Sequence, residues 1–295
     1  MKKFVILIPI FNDWKSVFKL LENIDFQIKD WKADFSILIV NDASSIERPK
    51  TNLSFNNIKS VRILNMKQNR GHARCNAAGL KFLSEKEIFD YIILMDGDGE
   101  DRPEELNLIF NKSNENPSKV ITANRVKRSE GSFFKFLYEC HKILTHVFTG
   151  KSIKFGNYTC LPREAVSALI KEPSLWSSFS GSVSKVFSDR VSVPSIRGQR
   201  YFGPSQMNFF NLLIHSFSII AVFKKQVIFR SILFLVFYLF FVYNSFSAIT
   251  LFPVLIIIIF LFFILKTSSR ENIHELKNSL ENINNIETLS DLNNR

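Results

Sequence analysis

Tyr91-Ile92-Ile93-Leu94-Met95-Asp96-Gly97-Asp98-Gly99-Glu100-Asp101-Arg102-Pro103-Glu104-Glu105 is the stretch that decides how this chain folds. Its first five residues form an apolar run of strand length, bounded by turn residues. That strand runs directly into Asp96, Asp98, Glu100 and Asp101. Pro103, with Glu104 and Glu105 behind it, then opens a helix, because proline suits the first helical turn and acids suit its positive end. A strand that ends in acids and hands over to a helix is one unit of an α/β sheet, and ligands of such sheets sit beyond the carboxyl ends of the strands.

Working outward, short apolar runs at residues 4–8, 36–40, 61–64 and 120–122 predict further strands, and residues 14–28, 72–83 and 103–114 predict helices. The alternation implies an α/β fold: a Rossmann-like, mostly parallel sheet flanked by helices. Two more strand ends are polar. The first runs into Pro9-Ile10-Phe11-Asn12-Asp13 and the second into Val40-Asn41-Asp42-Ala43-Ser44. Core packing does not explain three strands that deliver acids to one edge; a binding site does.

The acids suggest their own chemistry. Hard cations such as Mg2+ or Mn2+ take oxygen ligands, typically one or two carboxylates together with substrate phosphates. Asp96, Asp98 and Glu100 are the candidate metal ligands, and a cation there would neutralise charge on a departing diphosphate. A calcium loop of the EF-hand type requires Gly at its sixth position and Glu at its twelfth, where this chain has Asp101 and Asn107. Phosphatases of the haloacid dehalogenase type also place Asp-x-Asp after a strand, but their later Gly-Asp motif is not found.

Four motifs in order resemble the family 2 glycosyltransferases of the GT-A fold: residues 4–13, residues 37–44, Asn69-Arg70-Gly71-His72-Ala73-Arg74-Cys75-Asn76-Ala77-Ala78-Gly79, and residues 95–104. A narrower resemblance runs through Arg125 to Phe134, Thr149-Gly150 and Arg197-Gly198-Gln199-Arg200-Tyr201-Phe202-Gly203-Pro204-Ser205, followed by two apolar spans. It is similar to the polyisoprenyl-phosphate glycosyltransferases, the group of the dolichol-phosphate mannosyltransferases. The resemblance implies a nucleotide-sugar donor and a polyprenyl-phosphate acceptor, with inversion at the sugar. It implies that Pro9, Asn12, Asp13 and Asp42 hold the nucleotide, that Asp96 and Asp98 act in catalysis with the metal, and that Glu100 joins them. It places Arg125 and Arg128 near the phosphates and Arg197 and Arg200 on a closing loop, with Arg200 catalytic. A guanidinium fork suits phosphate oxygens.

Some residues depart from the family pattern. Asp13 stands where Glu is usual, and Glu100 where Gln is common. Phe155-Gly156-Asn157-Tyr158-Thr159 replaces a Thr-Gly-Asp-Phe-Arg stretch. Asn157 cannot serve as a general base. A phosphate acceptor is already ionised and needs none, whereas a sugar hydroxyl does. Extension of a lipid-linked or surface polysaccharide, and a catalytically silent nucleotide-sugar-binding scaffold, are the alternatives these departures keep open.

Downstream, the run 231–265 contains no charged residue, too long for one span of about 20 residues and nearly right for two. Residues 227–243 and 247–265 are read as a transmembrane hairpin turning near Asn244-Ser245. Lys224, Lys225 and Arg230 precede it and Lys266 and Arg270 follow it, which predicts both outer ends on the cytoplasmic side. Before the hairpin, Asn208, Asn211, His215 and Ser218 form one polar stripe on an apolar helix suited to the membrane interface. After it, Ile273, Leu276, Leu280, Ile283, Ile286 and Leu289 recur at steps of three and four, giving an amphipathic helix or a frayed asparagine-rich tail.

The chain of 295 residues carries a formal charge of +11. With no zinc spacing or aromatic RNA-binding motif, the charge is assigned to anionic lipid and phosphorylated ligands and not to nucleic acid. Cys75, Cys140 and Cys160 are too scattered for a metal site or disulfide frame, which favours a reducing compartment. The apolar run before Pro9 is shorter than a signal peptide needs and no cleavage site follows, so the amino terminus is expected to be a strand in the cytoplasm. The expected organisation is a catalytic domain over 1–204, an interfacial helix over 205–226, a hairpin over 227–266 and a cytoplasmic tail over 267–295, bound to the inner membrane, with self-association into a homo-oligomer left open.

Overall fold

The computed structural model describes residues 1–50, 53–127, 132–204 and 209–292, with backbone alone for Lys127, residues 132–138 and Phe209. In chain order the described elements begin β1 (Lys2–Ile10), α1 (Trp14–Gln27), β2 (Ala33–Asn41), β3 (Ile58–Met66), α2 (His72–Lys86) and β4 (Tyr91–Leu94). A 3-10 turn at Pro103–Glu105 leads into α3 (Leu106–Glu115), followed by β5 (Ile121–Lys127), α4 (Ser132–Thr149), β6 (Phe155–Pro162), α5 (Arg163–Leu169), α6 (Phe179–Val186) and β7 (Val191–Ile196). The remainder is α7 (Phe209–Ala221), α8 (Lys224–Val242), α9 (Ala248–Ser268), α10 (Ile273–Lys277), a 3-10 turn at Ser279–Asn282 and β8 (Ile283–Asp291).

The strands form one sheet in the order β7-β5-β6-β4-β1-β2-β3-β8. Pairing is parallel from β3 through β2 and β1 to β4, and again between β5 and β7. It reverses at β6 and at β8. The central strands are buried on both sides, which is why their sequences read as unbroken apolar runs. One core lies between the sheet and α1 and α3, around Ile6, Leu20 and Ile109. A second, around Leu7, Leu80 and Val183, lies under α2, α5 and α6 and takes in Ile219, Val222 and Phe223. This second core fastens the start of the apolar C-terminal region to the sheet.

Helices α8 and α9 are long and apolar enough to cross a membrane. The 21 residues of α9 span about 31 Å, close to the thickness of a bilayer core. Phe237, Phe241, Ile258 and Phe262 are exposed along the pair. At the base, Ile220, Val227 and Ile264 pack together with Phe148 of α4 and Phe217 of α7. Arg230 reaches across from α8 and donates to the Val147 carbonyl at 2.8 Å.

The expectation of an amphipathic helix or frayed tail after the hairpin is overturned. The segment makes only one short helix, and then β8 pairs antiparallel with the edge of β3. Its apolar spacing is real, since Leu276 is fully buried and Ile273, Leu280 and Ile283 pack against the second core. The conformation differs because the β3 edge offers a row of unpaired backbone groups, and a run with two asparagines among isoleucine and threonine extends more readily than it coils.

Candidate active site

The carboxyl ends of β1 and β2 are tied together by one side chain. Asn12, in the left-handed region at φ 57°, donates its backbone N–H to Ser44 Oγ at 2.8 Å, and its Oδ1 accepts from the Ile46 N–H at 2.9 Å. Ala43 is also left-handed, at φ 54°. Such a conformation costs a residue with a Cβ on the order of 1 kcal/mol, and it persists where surrounding bonds impose it. Between these points Asp42, buried, accepts the backbone N–H of Arg70 at 2.9 Å and of Gly71 at 2.8 Å. Burial raises its pKa, and the two amides oppose that rise. Pro9 lies within β1, paired with Val40.

The loop after β4 is held by a strap that follows β7. Gly198 N–H donates to the Glu100 carbonyl at 2.8 Å and Tyr201 N–H to the Asp98 carbonyl at 2.9 Å. The Tyr201 ring packs on Gly99, whose φ of +89° and missing Cβ make that contact feasible, since a Cβ there would lie 2.5 Å from the ring. Side chains complete the strap. Arg200 bridges Asp98 at 2.7 Å and Asp13 at 2.5 Å, and Arg197 pairs with Glu100. Arg200 Nε is buried without a hydrogen-bond partner among the described residues, so one donor is left over there.

These charges strain one another. Burial, with the like charges of Asp96 and Glu100, pushes Asp98 up to about 6. Asp101, whose carboxylate accepts the Asp96 N–H at 2.9 Å, is pushed up to about 7 by burial and by Asp96. Asp96 moves the other way. Burial alone would raise it, but His72 at 3.3 Å and the Asn157 amide at 2.9 Å hold it well below the carboxylate range. Among the described residues no three Asp, Glu, His or Cys side chains converge as a ready-made metal cage.

His72, at the start of α2, is a site residue that no motif in the sequence singles out. It contacts both Asp96 and Asn157. Asn157, noticed only as a departure, therefore lies in the site. Arg125 lies there too, its guanidinium passing over Gly156, where a Cβ would come within 2.7 Å of Nη2. His215 of α7, one member of the polar stripe, lies within electrostatic range of His72, Arg125 and Asp96 without a hydrogen bond or ion pair to them among the described residues, and burial lowers its pKa to about 4. Asn208 of the same stripe and Arg128 lie outside the described residues.

Residues 5–179 match the family model described as glycosyl transferase family 2. The chain belongs to glycosyl transferase family 2. Among curated family 2 relatives, the undecaprenyl-phosphate 4-deoxy-4-formamido-L-arabinose transferase of Klebsiella pneumoniae (strain 342) is 26% identical over 219 residues. The match covers 72% of this chain and 64% of that protein, so the chain spans just under two thirds of its relative. Glucosyl-3-phosphoglycerate synthase from Mycobacterium tuberculosis, solved with Mn2+, UDP-glucose and phosphoglyceric acid, superimposes with a TM-score of 0.52 at 12% identity, covering 77% of this chain and 80% of that one. The same enzyme with UDP alone gives 0.51 at 11% identity over the same shares. The likeness establishes the fold of this family 2 chain as GT-A.

Proposed function

We propose that this family 2 protein transfers a sugar from a nucleotide-sugar donor to a polyprenyl phosphate at the cytoplasmic face of a membrane, with a divalent cation at Asp96 and Asp98. The observation that carries the reading is Arg200 lying between Asp13 and Asp98 at the carboxyl edge of the sheet, with a buried N–H to spare. A divalent cation such as Mg2+ or Mn2+, when bound, supplies charge neutralisation to a diphosphate leaving group. The donor set suits it, since one or two carboxylates plus substrate phosphates are the usual complement of such ions.

The chain's own residues then divide the work. Asp42 and Asn12 orient the nucleotide at the ends of β1 and β2. Arg200, now paired with Asp13 and Asp98, and Arg197, paired with Glu100, would offer their forks to phosphate oxygens of the donor. Arg125 grips the acceptor or donor phosphate above Gly156. An ionised phosphate oxygen attacks the anomeric carbon from the face opposite the diphosphate, and no base is required, in keeping with an amide at Asn157.

Placement at a membrane is supported by the sheet itself. The catalytic elements precede the hairpin and β8 follows it, yet β8 pairs with β3. Both ends of the hairpin must therefore lie on one side, and two spans that cross and return satisfy this. The undecaprenyl-phosphate relative points to the same class of acceptor. In this reading residues 1–204, with the segment after the hairpin, form the catalytic unit, 205–226 lie at the interface and 227–266 form the hairpin.

One observation favours a second reading. Burial lowers the pKa of His72, but Asp96, with Asp98 and Asp101 beyond it, raises it on balance. An imidazole so placed could take a proton from a sugar hydroxyl on a lipid-linked acceptor. Purified protein incubated with polyprenyl phosphate, or with a lipid-linked sugar, and a panel of nucleotide-sugars separates the two. A new lipid-phosphate sugar, read by mass, supports the first reading. Product only from the lipid-linked sugar supports the second, and no product from either supports the silent scaffold.

A further inference from the structure

We propose that the segment after the hairpin positions the donor-binding loop, with Glu275 and Asn282 as positioning residues. The proposal rests on the reading that Asp42 contacts the nucleotide.

Residues 67–71 form the loop between β3 and α2. On one side, its Arg70 and Gly71 amides clamp the Asp42 carboxylate. On the other side, the segment after α9 holds it at several points. Lys67 N–H donates to the Asn282 carbonyl at 2.7 Å and Lys67 Nζ to the Glu281 carbonyl at 2.8 Å. Asn282 Nδ2 donates to the Gln68 carbonyl at 3.2 Å. Arg70 Nη1 pairs with Glu275 Oε2 at 3.3 Å. The same oxygen accepts from Trp176 Nε1 at 2.8 Å, while Oε1 accepts from Asn272 at 3.0 Å.

Glu275 is thus fixed from three directions, by the α10 cap, by the catalytic domain and by the loop. Asn272 caps α10, accepting from the His274 and Glu275 amides, and Leu276 anchors the same turn in the core. The loop itself turns on Gly71 at φ +90°, a residue with wide backbone freedom. Without Glu275 and Asn282, nothing described on its outer side fixes the Arg70 side chain or the Gln68 carbonyl. The amides facing Asp42 then wander, and the carboxylate loses its orientation. Because this brace begins a few residues after α9, the seating of the hairpin and the shape of the donor pocket are mechanically joined.

The test uses the full chain in detergent or nanodiscs. Dissociation constants for nucleoside diphosphates with Mn2+ are measured by calorimetry beside steady-state kinetics for Asp42→Ala, Glu275→Ala, Glu275→Gln and Asn282→Ala. Expected are a rise of about tenfold in nucleotide Kd and donor KM for Glu275→Ala and Asn282→Ala, the size of one lost hydrogen bond to a charged or buried group. The kcat and the acceptor KM stay within about twofold, and Glu275→Gln recovers most of the affinity. Hydrogen exchange of the 67–71 amides quickens in Asn282→Ala even if Glu275→Ala fails to fold, while β1 and β4 stay protected. If Asp42→Ala weakens the nucleotide and the tail variants do not, or if their effect falls on kcat alone, the positioning role is overturned. If Asp42→Ala changes nothing, the donor-site reading fails first and takes this inference with it.

Discussion

At the carboxyl edge of the sheet, Asp13, Asp98 and Glu100 are each answered by an arginine of the same chain, whereas along α8 and α9 Phe237, Phe241, Ile258 and Phe262 are exposed, uncovered by any described residue. The two regions need different partners, and only one can stand in for its own. Charge is satisfied by a single opposite charge, so two arginines keep the acidic edge folded before a ligand arrives. Apolar area is satisfied only by more apolar area, and a hairpin of two helices has too little. The site carries its stand-in internally, whereas on the proposed reading the hairpin takes its cover from lipid.

The comparison breaks most easily at Asp98. Asp98→Asn keeps a similar shape and removes the charge that Arg200 and a cation share, so turnover should fall by about a thousandfold or more with the fold intact. Steady-state kinetics beside circular dichroism check this. At the other end, Ile258→Arg puts a charge in mid-span at a cost of about 2.5–3.5 kcal/mol. The chain should shift from the membrane pellet to aggregates or degradation, read by fractionation, while Asp98→Asn remains in the membrane.

A smaller effect is expected at Gly156. In Gly156→Ala the added methyl meets only the movable end of Arg125, so the melting temperature should hold within about 2 °C. Activity should fall roughly tenfold because the guanidinium is displaced. An equal loss in both would show Arg125 to be structural.

The smallest effect sharpens the electrostatic side. Asp98 and Asp101 have folded pKa values above those of an unfolded chain, so the folded state binds protons more readily. Their protonation favours folding at low pH, and that contribution is lost as pH rises through about 6 to 7. The cation-free protein should therefore melt about 3 °C lower at pH 8 than at pH 5 from these groups, with Mn2+ restoring more at the higher pH. Thermal scans across pH with and without Mn2+ measure it, and Asp101→Asn should flatten the slope.

Much of this was legible in the sequence because it depends on local pattern. Buried parallel strands write themselves as apolar runs, and the acids at their ends gather at one edge of the sheet. The two long apolar helices are equally plain, since no charge interrupts residues 231–265. Two things were not. The segment 273–291 showed apolar steps of three and four, yet its conformation was decided by an unpaired edge at β3, more than two hundred residues away in sequence. His72 and Asn157 come from α2 and β6, and no short motif states that these two side chains meet at Asp96. The pairing of Arg200 with Asp13 was equally invisible, because it depends on a strap folding back across the sheet.

On the proposed reading, Asp96 and Asp98 hold a divalent cation together with a donor diphosphate. Mn2+ binding to the full chain, followed by electron paramagnetic resonance with and without nucleoside diphosphates, tests it most directly. The account predicts one tightly held Mn2+ per chain only when a nucleoside diphosphate is present, abolished by Asp96→Asn or Asp98→Asn. Unchanged Mn2+ binding in both variants, or nucleoside diphosphates that bind equally well without any cation, would contradict it.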